Sequence, residues 1–366
     1  MVVHQLLSAA GPVDAVTGQA RAYRRAFEAW GWGGSDHAAL IDPRMGRWIR
    51  PLEKLDPAPD DVLLLHYSAY APRLRPLLAL PNRKLLVSHN ITPARYLWSH
   101  EPVVAVYCSV GREQLPEFAR SVDVAAGVSE YNVAELVAAG ARRTAVVPIV
   151  FEPPAAAAGN GGPPAPSGSP QAVSGGPPAP SAPPKPPTIL FVGRITPHKR
   201  HDLLLRAFAL YRRHRAPDAR LQLVGEPLSP AYAAAVRELA DELAPGAVTI
   251  EGGIAPVALW ERYRSADVFL SMSEHEGFCI PLLEAFSFGL PVIARPVGGI
   301  PEVAGDAALL CEGDDLAVVS ELLALAVSDR ELRDELAARA ARRLAAYAPE
   351  RALDSLRAAV IAASRG

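Results

Sequence analysis

Short apolar runs alternate along the chain with stretches of helical periodicity, and glycine or proline marks most of the changes. Residues 2–10 read as a short apolar strand. A loop, Gly11 to Gly18, leads into a helix Gln19–Trp30 with Arg21, Arg24 and Arg25 on its polar side. Asp61–Ser68 and Lys84–Ser88 are nearly continuous apolar runs, as expected of strands buried on both faces. Each ends in a polar group, His66 in the first and His89-Asn90 after the second. Val122–Gly127 reads as a strand, Ser129 as the cap of a helix from Glu130, and Ala145–Val150 as a further strand. From Thr188 the alternation resumes. Strands are expected at Thr188–Val192, Arg220–Val224, Ala247–Ile250, Asp267–Ser271, Leu290–Ala294 and Ala307–Leu310. Helices are expected at Leu203–Arg213, Ala231–Ala244, Pro256–Tyr263, Pro281–Phe288, Leu316–Leu344 (broken near Ser328-Asp329) and Arg351–Ala363. Strands alternating with helices predict an α/β fold with parallel sheets covered on both faces.

One composition change divides the chain. Residues 153–187 hold 13 prolines and 6 glycines, and Lys185 is their only charge. Such a stretch cannot bury enough apolar surface to offset the entropy of ordering, so it reads as a flexible linker. The expected organisation is a first lobe at 1–152, the linker at 153–187, a second lobe at 188–348 and a final helix within 349–366.

Composition excludes several classes. Apolar residues make up 50%, enough for proper cores, yet no run of eighteen or more suits a membrane span. The start, MVVHQLLSAAG, lacks the basic region of a signal peptide. Cys108, Cys279 and Cys311 are far apart and odd in number, which argues for a reducing compartment and against a disulfide frame or zinc cluster. A net charge of −2 does not suit a nucleic-acid binder.

The chemistry concentrates at Ser271–Glu302. A strand ends there, a loop with Glu276 and Gly277 follows, and a helix begins at Pro281 and stops before Gly289. A loop entering a helix N-terminus presents unpaired N–H groups to an anion. Glu276 lies in the loop, and Glu284, within the first turns of the helix, suits vicinal hydroxyls such as those of a ribose. Either carboxylate alone would read as a solvated surface charge. A second anion loop follows Gly193, where Arg194 and Lys199 could neutralise a diphosphate.

The segment Glu276-Gly-Phe-Cys-Ile-Pro-Leu-Leu-Glu284 resembles the E-(seven residues)-E motif of family 4 retaining glycosyltransferases, and GLPVIARPVGGIPEVAGD after it is similar to the same family. Gly193-Arg194 through Lys199 resembles their G-R-x-x-x-x-K motif. Two positions often held by glycine in the family carry Cys279 and Arg200 here. The likeness is strong over 188–330, moderate over 60–150 and weak over 1–40. It implies the GT-B fold, two Rossmann-like lobes facing across a cleft, and a nucleoside-diphosphate sugar (UDP- or GDP-hexose) as donor.

The resemblance further implies roles. Glu276 and His89 would orient the donor sugar. Arg194, Lys199 and the amides of Phe278, Cys279 and Ile280 would hold the diphosphate, Glu284 the ribose, and Gly225 and Ile254 the base. Gly11, Asp14, Gly18, His66 and Asn90 would lie on the acceptor side. The transfer would go to a hydroxyl of a glycan, glycolipid or lipid-linked acceptor with retention, in the service of polysaccharide or cell-envelope synthesis. The chain has no Asp-x-Asp, so no metal and no cofactor is expected. The expected location is the cytoplasm, with peripheral contact at the inner membrane face. A non-catalytic nucleotide-sugar binder and a GT-B epimerase remain alternatives from the residues alone.

Overall fold

The computed structural model describes residues 1–12, 14–157 and 185–366. Most of the proline-rich stretch lies outside the described residues, as does the reading of it as a linker.

Among the described residues the first lobe is built on parallel strands β1 (Val3–Ala10), β2 (Asp36–Ile41), β3 (Ile49–Pro51), β4 (Val62–Tyr67), β5 (Arg83–Ser88), β6 (Val124–Gly127) and β7 (Thr144–Val146), in the order 3-2-1-4-5-6-7. Helices α1 (Ala15–Ala29), α2 (Pro102–Ser121) and α3 (Glu130–Ala138) cover it. The strand order reverses between β1 and β4, and ligands in such sheets sit at the carboxyl ends around that point. His66 and His89 are there.

The second lobe repeats the plan with β8 (Thr188–Val192), β9 (Arg220–Val224), β10 (Val248–Glu251), β11 (Val268–Ser271), β12 (Val292–Ala294) and β13 (Leu309–Leu310), in the order 10-9-8-11-12-13. Its helices are α4 (His201–His214), α5 (Pro230–Leu243), α6 (Pro256–Ser265), α7 (Ile280–Ser287), α8 (Ile300–Ala304), α9 (Leu316–Ser328) and α10 (Arg330–Ala346). The last helix, α11 (Pro349–Ser364), leaves this lobe and packs on β4–β7 of the first, burying Leu356, Ala359, Val360 and Ala363.

Several expectations need correction. Helix α1 starts at Ala15, not Gln19, because Asp14 caps it, accepting from the Thr17 amide at 2.8 Å and from its hydroxyl at 2.7 Å. Gly18 is therefore inside the helix rather than in a ligand loop, and its amide bonds the Asp14 carbonyl. Strands β2 and β3 were not expected; both are short and carry polar residues. Helix α2 was missed too, since Gly111 and Pro116 break its pattern. The strand expected at Ala145–Val150 is only Thr144–Val146, and Pro148 follows it. Gly289 does close the helix after Glu284, with φ 67°.

Candidate active site

The Glu276 loop joins β11 to α7. The residue before the helix, Cys279, has φ 74°, a left-handed conformation that costs a side-chain-bearing residue ~1–2 kcal/mol. Arg200, at the corner between the other anion loop and α4, has φ 51°. These are the two positions where the resembling family often has glycine, and backbone geometry supplies the reason. Arg200 holds its shape through ion pairs with Asp202 and Glu274. Cys279 has no such support; its thiol is buried. Cys279→Ala keeps the strained backbone and loses the sulfur, whereas Cys279→Gly also relieves the strain. Urea midpoints should therefore place the glycine variant level with or above the alanine variant. An alanine variant more stable by over ~1 kcal/mol, the usual helix-type order, would refute the strain.

Behind Cys279, the amides of Phe278, Cys279 and Ile280 have no intramolecular acceptor among the described residues. The Phe278 ring itself is core, edge-on to Tyr347 at 5.4 Å. Backbone alone is thus offered to an anion at this helix N-terminus. Lys199 reaches across from the β8–α4 loop, its Nζ 2.5 Å from Glu276 Oε1. Both side chains are largely buried. Arg194 is exposed and makes no hydrogen bond or ion pair among the described residues.

Glu284 receives a 2.6 Å hydrogen bond from the Tyr263 hydroxyl. Burial raises its carboxyl pKa above the usual range, and the Tyr263 bond opposes that shift. Sequence reasoning missed Tyr263, whose buried hydroxyl in α6 is 21 positions from its partner. Ile254 is half-buried against the core of this region. Gly225 has a packing explanation: an added Cβ would stand 1.9 Å from the Gly193 carbonyl oxygen, where β8 and β9 end side by side.

On the first lobe, His66 and His89 are joined, Nδ1 to Nε2, at 2.8 Å. Gly11 donates its amide to the Thr17 hydroxyl at 3.1 Å, and Asp14 is spent mainly on its cap. The lobes meet at Asn90, left-handed at φ 73°, which hydrogen-bonds the His275 ring at 2.8 Å. Ser129, the cap of α3, donates to the Gly277 carbonyl at 2.7 Å, and the Glu130 amide to Glu302 at 2.7 Å. The chain neighbours of His89 and Glu276 therefore touch across the cleft.

Burial holds the histidines around the cleft neutral. It lowers the pKa of His89 and His275 to about 4 and of His201 to about 3, and it takes His66 and His198 well below the ordinary value. In the unfolded chain each would titrate near ~6.5. Between these limits the unfolded state binds more protons, so stability is complete above pH ~6.5 and falls as pH drops toward the folded values. Glu284 and Glu302, raised by burial, act in the opposite sense but are fewer. Urea titrations at pH 7.5 and 5.0 should show the midpoint dropping; a tenfold proton displacement at one group is already ~1.4 kcal/mol. A midpoint constant across that range would contradict the buried neutral histidines.

Residues 177–343 match the family model described as glycosyl transferases group 1. That stretch is a little under half of the chain. Among curated proteins, the chain is 39% identical over 189 residues to a D-inositol 3-phosphate glycosyltransferase of Geodermatophilus obscurus, covering 48% of this chain and 40% of that one. It is 35% identical over 167 residues to the protein of that name in Nocardia farcinica, covering 44% and 37%. The chain thus spans about two fifths of the length of these curated relatives. Solved structures share the GT-B fold over nearly the whole chain. Sucrose-phosphate synthase from Thermosynechococcus elongatus superposes with TM-score 0.70 at 18% identity, over 97% of both chains. HepE of Anabaena, solved with UDP and glucose, gives TM-score 0.69 at 13% identity over 97% and 98%. Among the described residues, no helix is long and apolar enough to cross a membrane.

Proposed function

We propose that the protein is a family 4 retaining glycosyltransferase that moves a hexose from a UDP- or GDP-sugar to an acceptor hydroxyl. One observation carries the reading. The unpaired amides at α7 and the Lys199–Glu276 pair on one wall meet the His89-Asn90 strand end on the other, through the Asn90–His275 hydrogen bond. An anion site and a polar sugar site then share one cleft. Lys199, Arg194 and the loop amides offset the charge of the leaving diphosphate, which is the main task once the glycosidic bond stretches. Glu284, oriented by Tyr263, accepts from ribose hydroxyls. Glu276 and His89 orient the hexose, and the acceptor enters from the first lobe.

The carboxylate and amide set needs no divalent ion in this reading. The named activity of the curated relatives makes an inositol phosphate one acceptor to try, beside lipid-linked glycans. The test is nucleotide release from a panel of UDP- and GDP-sugars, with and without EDTA, for the parent and Glu276→Ala. Release from one donor, indifferent to EDTA and lost in the variant, is expected. Binding without release from any donor and acceptor would favour a non-catalytic binder, and a requirement for added metal would overturn the metal-free mechanism.

A further inference from the structure

Behind His89 runs a chain of buried polar groups that the reaction scheme leaves unused. Arg24 grips Asp36 through Nε at 3.1 Å and its terminal nitrogen at 2.7 Å. Asp36 Oδ1 accepts from Gln5 Nε2 at 2.8 Å, and the same nitrogen donates to the Ala20 carbonyl at 2.8 Å. Gln5 Oε1 meets His66 Nε2 at 3.0 Å, and His66 Nδ1 meets His89 Nε2 at 2.8 Å. Gln5, Asp36 and His66 are each at most 2% exposed. Burying such groups in the middle of a sheet is costly unless every donor finds an acceptor.

The direction of every proton follows by elimination. A carboxylate and a backbone carbonyl can only accept, so the Gln5 amide nitrogen must face them and its oxygen must face His66. That oxygen can only accept, so His66 carries its proton on Nε2. A neutral His66 then has a bare Nδ1, which can only accept from His89 Nε2–H. Buried in this way, both rings are neutral at neutral pH. His89 is left with a bare Nδ1, and no group among the described residues bonds it.

We infer that Arg24, Asp36, Gln5 and His66 are positioning residues that fix the tautomer of His89, so that its Nδ1 presents a lone pair to the cleft and accepts a hydroxyl O–H of the donor sugar. The use of that lone pair rests on the glycosyltransferase reading; the tautomer does not. His89 in this state cannot donate a proton to the sugar, the leaving group or the acceptor. Its role is to select a ligand hydroxyl that can donate. A sugar carrying a carbonyl, carboxylate or other pure acceptor at that position is disfavoured, because two lone pairs would face each other in a buried site.

Long-range proton–nitrogen spectra of the [15N]histidine-labelled full chain, recorded without nucleotide, read the tautomer directly. Both His66 and His89 should be protonated on Nε2. His66→Gln should leave His89 unchanged, because a glutamine can donate to Gln5 with its nitrogen and accept from His89 with its oxygen. Gln5→Met removes the acceptor that polarises the chain and should bring in His89 protonated on Nδ1. In that variant UDP-glucose should bind roughly tenfold more weakly, the loss of about one hydrogen bond, with UDP binding unchanged. His89 protonated on Nδ1 in the parent, or an unchanged His89 spectrum in folded Gln5→Met, would overturn the inference. If the parent spectrum is as expected and no nucleotide sugar binds, the tautomer assignment stands and the donor reading falls.

Discussion

Lys199→Ala should lower nucleotide-sugar turnover by roughly 10²–10³-fold, the factor that goes with removing one preorganised charge from a transition state. In the proposed reading the lysine and the α7 amides hold the diphosphate together, and Glu276 fixes the lysine through a 2.5 Å ion pair. Both side chains are largely shielded from solvent, so the ammonium acts through a low dielectric. Removing it also leaves the Glu276 carboxylate buried beside the incoming phosphates, a like-charge contact where an ion pair stood. The two effects add in the same direction. Lys199→Arg keeps the charge on a wider head, and it should recover part of the rate. A fall of less than about threefold in kcat/KM for Lys199→Ala, under ~1 kcal/mol, would remove Lys199 from the diphosphate site.

The second large effect belongs to Gly277→Ala. A Cβ there would lie 2.4 Å from the Asn90 Cβ, a residue of the other lobe. Asn90 cannot step back easily, since it is left-handed and bonded to His275 and Asn132. The lobes must separate instead, which moves His89 away from Glu276. A shift of about 1 Å in a reacting site is worth ~10²-fold, so turnover should drop by at least that. Stability should suffer less, within the ordinary ~0.5–3 kcal/mol of a point change, because neither lobe's core is touched. Gly225→Ala is the contrast. Its Cβ would meet the Gly193 carbonyl oxygen at 1.9 Å inside one sheet, with no hinge to relieve it, and should cost more than roughly 4 kcal/mol. Urea unfolding, turnover and small-angle scattering on the two variants separate the cases. If Gly277→Ala unfolds as readily as Gly225→Ala, the lobes are not free to part.

The second lobe was legible because its strands are short and mostly apolar, Gly193 and Gly225 follow β8 and β9, and Gly289 closes the helix that carries Glu284. The residues read as its two anion loops were near in sequence from the start: Arg194 and Lys199 share the β8–α4 connection, and Glu276 and Glu284 are eight positions apart across the start of α7. The first lobe was harder. The mixed composition of β2 hid it, and Gly111 and Pro116 disguised α2. Asp14 and Gly18 looked like loop residues because a cap and a ligand loop use the same residue types. The contacts that assemble the cleft were not readable at all. Asn90 and His275 are 185 positions apart, and Gln5 and His66 are 61 apart. Only a sheet order of 3-2-1-4-5 brings the latter two side by side. One signal was available: a glutamine in the middle of the strand Val3–Ala10 needs buried partners, and its presence announces a network before the partners are known.

Helix α11 closes the apolar surface of β4–β7, yet it is encoded after the entire second lobe. During synthesis the first sheet emerges with Leu64, Leu85, Val87 and Ala126 of its core still awaiting Leu356 and Val360. Domains usually complete themselves as they leave the ribosome. Here the earlier lobe stays sticky until the later one has been made, so the two halves mature together rather than in turn. Splitting the chain at the proline-rich stretch should accordingly give a first half that aggregates, and one that a separately supplied α11 peptide would help to keep in solution.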